Sequence, residues 1–142
     1  MMTITLEDND TSVNICLREP DYKKMTVLKN ITSYLLYDEN GSWLGFILTN
    51  IDKEGRRVEF PLFHESEHDG KFFFIQTLDK LIVFFDPFKR QVAEKRKEYC
   101  DIYFNNYGLF SIEYELESSV GNVDYLEEYM EEYFDEEESD LL

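Results

Sequence analysis

The chain has 142 residues and a formal net charge of −17, from 31 acids against 14 bases. That length suits one domain with a proper core, and an ordinary apolar content rich in Phe and Tyr excludes a disordered chain. The acidity sets it against direct binding to nucleic acid or an anionic membrane, and no apolar run approaches the ~18–20 residues that span a bilayer.

The opening residues, MMTITLEDND, have neither a basic nor an apolar signal region, so no signal peptide is expected. Residues 2–6 and 13–17 alternate as short strands about a turn at Glu7 to Ser12. Glu19-Pro20 opens a predicted short helix, because Pro suits the first helical position, and Tyr22, Met25, Leu28 and Ile31 follow at steps of three. Residues 31–37 and 42–51 form a predicted hairpin around Asn40-Gly41. A second turn at 52–56, holding Gly55, leads into a strand over 57–63. Pro61 cannot donate to a ladder, which places that strand at an edge or a bulge.

Residues 64–70 are polar and read as a loop. The stretches 72–76 and 81–85 are apolar on both faces, which predicts central strands covered on each side. Asp86-Pro87 predicts a second helix, running to about Cys100, with Phe88, Val92 and Tyr99 inward. Its outward residues are Lys89, Arg90, Lys95, Arg96 and Lys97. Residues 109–117 alternate as a last strand.

The final thirty residues, 113–142, hold thirteen acids and no Lys, Arg or His, which leaves the first 112 residues at only −4. This stretch is patterned as well as charged. At roughly 100° per residue around a helix, Val123, Leu126, Met130, Tyr133 and Phe134 share one face. Asp124, Glu127, Glu128, Glu131, Glu132 and Asp135 sweep the opposite side, with Tyr125 and Tyr129 along a border. Gly121-Asn122 supplies the start, with Asn122 as N-cap and Asp124 against the positive end of the dipole. Glu137 would fall among the apolar residues, so the helix ends near Asp135. Like-charge pairs four apart, such as Glu127/Glu131, each cost about 0.2–0.5 kcal/mol. Burying a large apolar side chain, at about 1.5–3 kcal/mol each, offsets them.

The expected architecture is α+β: a mostly antiparallel β-sheet with two or three helices packed on it and an acidic C-terminal helix. Residues 1–135 make a single domain, and 136–142 a disordered acidic stub. Cys16 and Cys100 lack metal spacing and read as reduced thiols in a cytoplasmic protein.

His64-Glu65-Ser66-Glu67-His68 matches H-E-x-x-H, in which two His one turn apart hold zinc and the Glu activates the bound water. These five residues resemble the zincin metalloprotease motif, and on that resemblance the alternative function is a zinc-dependent hydrolase using His64, Glu65 and His68. Their surroundings differ from the motif's helix: Pro61 precedes, Asp69-Gly70 follow, and the chain has no further His for a third ligand. The five therefore read as a polar loop, with no metal or other cofactor expected. Glycine-rich phosphate loops are absent.

The functional expectation is a non-enzymatic, acidic binding protein. Its contact residues would be Asp124, Glu127, Glu128, Glu131, Glu132 and Asp135, with Tyr125, Tyr129 and Tyr133 as amphipathic anchors. A basic protein is the expected partner, such as a toxin or nuclease domain whose phosphate groove the carboxylates would fill. The profile is similar to that of immunity proteins and nuclease inhibitors, without a shared motif. A duller alternative is a scaffold subunit whose tail confers solubility.

Overall fold

Side chains alternating between apolar and polar at period two are the dominant signal along this chain, and they fold as strands. The computed structural model describes residues 2–17, 24–59, 72–106 and 108–121. They form β1 (Thr3–Glu7), β2 (Ser12–Cys16), β3 (Thr26–Tyr37), β4 (Trp43–Asp52), β5 (Phe73–Gln76), β6 (Lys80–Phe84), β7 (Glu94–Asn105) and β8 (Gly108–Glu115). These strands make one sheet in the order β1-β2-β8-β7-β3-β4-β6-β5. Every neighbouring pair is antiparallel.

The sheet curls into a half-barrel around a single inner core. Met2, Ile4 and Leu6 at one end of the strand order share that core with Phe72 and Phe74 at the other. Between them lie Val13 and Ile15 of β2, Leu35 of β3, Phe46 and Leu48 of β4, Ile102 of β7 and Tyr114 of β8. Trp43 stands edge-on to Phe85, with ring centroids 4.6 Å apart. One polar pair is sealed inside. Ser33 Oγ donates to the Ile47 carbonyl at 2.7 Å and lies 2.7 Å from the Tyr114 hydroxyl, so both hydroxyls have partners.

The α+β expectation is overturned: no helix occurs among the described residues, which are nearly all antiparallel strand. The helix predicted from Pro20 through Ile31 gives way, from Thr26 onward, to β3. Leu28 pairs with Ile102 and Ile31 with Cys100, so Lys29 and Asn30 of β3 oppose the single Asp101 of β7 across a bulge. Asn30 sits in that bulge with φ of 55°. The extra residue converts a period of two into a step of three, which imitates a helix.

The helix predicted over 87–100 is also absent, and its second half belongs to β7. Asp86 does what a cap does, accepting the Phe88 amide at 2.9 Å through Oδ1, but the turn stops there. Phe88, expected inward, is 95% exposed. Tyr99, also expected inward, lies beneath the ammonium groups of Lys53 and Lys97.

Other expectations hold. The strands over 2–6, 13–17 and 109–117 are present as β1, β2 and β8, and β3–β4 turns at Asn40-Gly41 with Gly41 at φ of 78°. The stretches 72–76 and 81–85 are strands, but β5 is last in the order and not central. Of the expected strand over 57–63, Arg57 makes a single bridge to Ile51, and 60–63 lie outside the described residues.

Candidate functional site

Period-two alternation in β8 puts Ile112, Tyr114 and Leu116 inside and turns Glu113, Glu115 and Glu117 to the outer side. Pairing register then lines these acids up with polar residues from the neighbouring strands. One row across the outer face is Glu7, Ser12 and Glu115. The next is Thr5, Asn14, Glu113 and Asp101. No Lys or Arg occurs in β1, β2 or β8, so this part of the sheet is uniformly anionic.

Glu113 and Asp101 stand directly opposite one another across β7–β8, a like-charge pairing that opposes folding. Local partners relieve it. Asp101 Oδ1 accepts the Asn30 amide at 3.0 Å, and Oδ2 lies 3.4 Å from Lys29 Nζ. Glu113 Oε2 accepts the Tyr103 hydroxyl at 2.9 Å, and Glu115 Oε1 accepts Ser12 Oγ at 3.1 Å.

A groove of about 610 Å³ runs along this face, with Glu113, Glu115 and Glu117 on one side and Lys53, Lys97 and Tyr99 on the other. Lys53 Nζ stands 5.2 Å and Lys97 Nζ 5.9 Å from the centre of the Tyr99 ring, close enough for cation–π attraction.

The anionic face leads into the acidic C-terminal stretch through a clamped exit. The amide of Leu116 donates to the Thr11 carbonyl at 2.8 Å, and that of Val120 to the Asp10 carbonyl at 2.9 Å. Asp8, Asn9 and Asp10 hold this receiving turn with three successive positive φ angles, of 53°, 57° and 63°. The Tyr37 hydroxyl donates to the Val120 carbonyl at 2.7 Å. Arg96 sends Nη1 to the Ser119 carbonyl at 2.9 Å and Nη2 to the Ser118 carbonyl at 3.0 Å. Its Nε stays 2.6 Å from Glu98 Oε1. Burial pushes the Tyr37 hydroxyl's pKa up, against the opposing pull of Arg96.

The expected contact residues Asp124, Glu127, Glu128, Glu131, Glu132 and Asp135, and Tyr125, Tyr129 and Tyr133, all lie outside the described residues, as do His64, Glu65 and His68. What the sequence reading missed is the anionic face made by β8 with β2 and β1. The alternation of Glu113, Glu115 and Glu117 carried its signal, but the partners Glu7 and Asp101 become visible only through register.

Among the described residues, no group of three or more His, Cys, Asp or Glu could hold a metal ion. Cys16 and Cys100 are free thiols, the first half-buried and the second buried, and burial pushes the Cys100 thiol well above its usual pKa. No helix among the described residues is long and apolar enough to cross a membrane. Comparison with protein-family models, with curated proteins and with solved structures finds no match to this chain.

Proposed function

We propose that this protein is a non-enzymatic inhibitor of the immunity type, which neutralises a basic partner through its acidic C-terminal stretch. The observation that carries the reading is charge segregation: residues 113–142 hold thirteen acids and no base. The first three, Glu113, Glu115 and Glu117, extend an anionic sheet face, and the stretch departs from the clamped Val120. A solvated surface that serves only solubility normally mixes signs.

In this reading the carboxylates of Glu127, Glu128, Glu131, Glu132 and Asp135 fill a cationic groove where the partner, a nuclease toxin or another nucleic-acid-binding protein, holds phosphates. Asp124 contributes at the near end, and Tyr125, Tyr129 and Tyr133 supply the amphipathic contacts. Opposed fields steer the encounter and raise the on-rate. Two free thiols suit a reducing compartment, so a cytoplasmic location belongs to the same proposal.

The test is capture of a partner from the native host, followed by a salt series and charge reversal. Glu128→Lys with Glu131→Lys is expected to weaken binding by at least about tenfold, and rising salt to weaken it steeply. Binding that ignores salt, or survives the double reversal, removes the reading.

A further inference from the structure

The outer face of the other half of the sheet is apolar. Pairing register builds one row from Lys97, Tyr34, Ile47, Ile82 and Ile75 across β7, β3, β4, β6 and β5. The adjacent row runs Lys95, Leu36, Gly45, Phe84 and Phe73. Neither contains a carboxylate. Apolar residues fill the middle, and cations mark the two ends: Lys95 and Lys97 on β7, and Arg90, whose guanidinium lies 4.3 Å over the Phe73 ring.

These residues form a second apolar cluster, separate from the inner core, and its centre is dry: Leu36 is 1%, Phe84 8% and Ile47 9% exposed. From outside the strands, the described residues Val92 and Arg90 pack on it, Arg90 over Phe73. Two side chains are too few to keep a face of this width dry, and drying each large apolar residue stabilises by about 1.5–3 kcal/mol.

We propose that the outer face of β3-β4-β6-β5 is the docking platform for this chain's own C-terminal segment, residues 122–135. Three observations select that occupant. First, the segment starts at the platform's rim: a Cβ on Gly121 would lie 3.6 Å from the Gly41 carbonyl, in the turn joining β3 to β4, and 3.6 Å from the ring of Tyr37, which packs on the inner face. Second, the length suffices, since fourteen residues wound as the helix expected from the sequence would extend about 21 Å, enough to cross four strands that cover about 15 Å. Third, the chemistry is complementary: on the helix expected from the sequence Val123, Leu126, Met130 and Phe134 would share one side, and the residues after Gly121 include ten acids and no base to meet cations at both ends of the rows. Docked this way, the segment keeps Glu128 and Glu131 turned outward. The docking stands independently of any partner.

Methyl-labelled full-length chain tests it by NMR without altering a residue. The expected result is nuclear Overhauser contacts from Leu126 and Met130 methyls to Ile47, Ile82 and Leu36. A companion variant, Leu126→Asp with Met130→Asp, is expected to shift the amides of those three platform residues and leave Val13 and Ile112 in place. Methyl contacts running to Leu62 of the 60–71 segment instead, contacts that disappear on dilution because a second copy supplied them, or no contacts at all would each overturn the inference. Glu128→Lys with Glu131→Lys is expected to preserve the methyl contacts, so loss of partner binding in that variant leaves this docking intact and the two readings fail separately.

Discussion

Tyr37 and Val120, 83 residues apart, are joined by a 2.7 Å hydrogen bond from the tyrosine hydroxyl to the valine carbonyl. Val120 is fully buried, so this bond fixes where the chain leaves the half-barrel. Tyr37→Phe keeps the ring and strands the carbonyl. The expected loss is about 1–3 kcal/mol, the range for an unpaired buried polar group, read as a lower urea midpoint at constant slope. A change below the resolution of that measurement would show that water replaces the hydroxyl.

Ser33 and Tyr114 form the buried polar pair of the core, and the two halves are not equivalent. Ser33→Ala leaves the Tyr114 hydroxyl without its oxygen partner in a dry site, at an expected cost of about 1–3 kcal/mol. Tyr114→Phe leaves the Ser33 hydroxyl donating to the Ile47 carbonyl, and is expected to cost only about 1 kcal/mol. The double variant should then cost less than the two singles added together, as measured in a double-mutant cycle.

Gly45 has no room for a side chain. A Cβ there would meet the Val83 carbonyl oxygen at 1.9 Å, and that oxygen belongs to backbone that cannot swing away. Gly45→Ala therefore forces β4 and β6 apart. The expected destabilisation is upwards of about 3 kcal/mol, the top of the usual overpacking range, measured by denaturant unfolding. The same change at Gly41, with φ of 78° and nothing nearby, tests backbone strain alone and should cost less.

Asp52 organises the turn after β4. Its Oδ1 accepts the amides of Arg56 at 2.9 Å and Glu54 at 3.0 Å, and Oδ2 faces Arg56 Nε at 3.1 Å. The Arg56 amide, foremost, holds the carboxyl below its ordinary pKa of 3.8. A lowered folded value favours the ionised native state, so this contribution is complete above about pH 3.8 and fades as pH falls through the folded value. Asp52→Asn should be less stable than the parent near neutrality, and the gap should narrow on acidification. A gap that is flat with pH would assign the carboxylate no such role.

The parts of the fold written in local chemistry were legible in the sequence. Asn40-Gly41 announces its hairpin because Gly41 needs a left-handed backbone, and 109–117 alternates plainly. Two misreadings share a physical cause. The bulge at Asn30 moved Leu28 and Ile31 to a helical spacing, and nothing local distinguishes such a bulge from a helical turn. Asp86 offered a real cap, but the residues that follow are claimed by pairing: the amide of Ala93 already donates to the Tyr37 carbonyl at 2.8 Å. In β7, Arg96 and Glu98 occupy the alternate positions that Cys100 and Ile102 continue into the core, so charge at the barrel rim hid the period of two. The anionic face was half legible: Glu113, Glu115 and Glu117 alternate openly, whereas Glu7 and Asp101 join them through pairings more than ten residues away.

An open sheet invites a further strand along its outermost members, here β1 and β5, and β1 is the acidic one of the two. A second copy adding to β1 in parallel and in register, as in a fibril, would bring its own Glu7, Asp8 and Asp10 up against the same three residues. Mutual repulsion opposes that register, so the anionic face that burdens the fold at Glu113 and Asp101 continues to an edge where the same charge works against in-register stacking of copies.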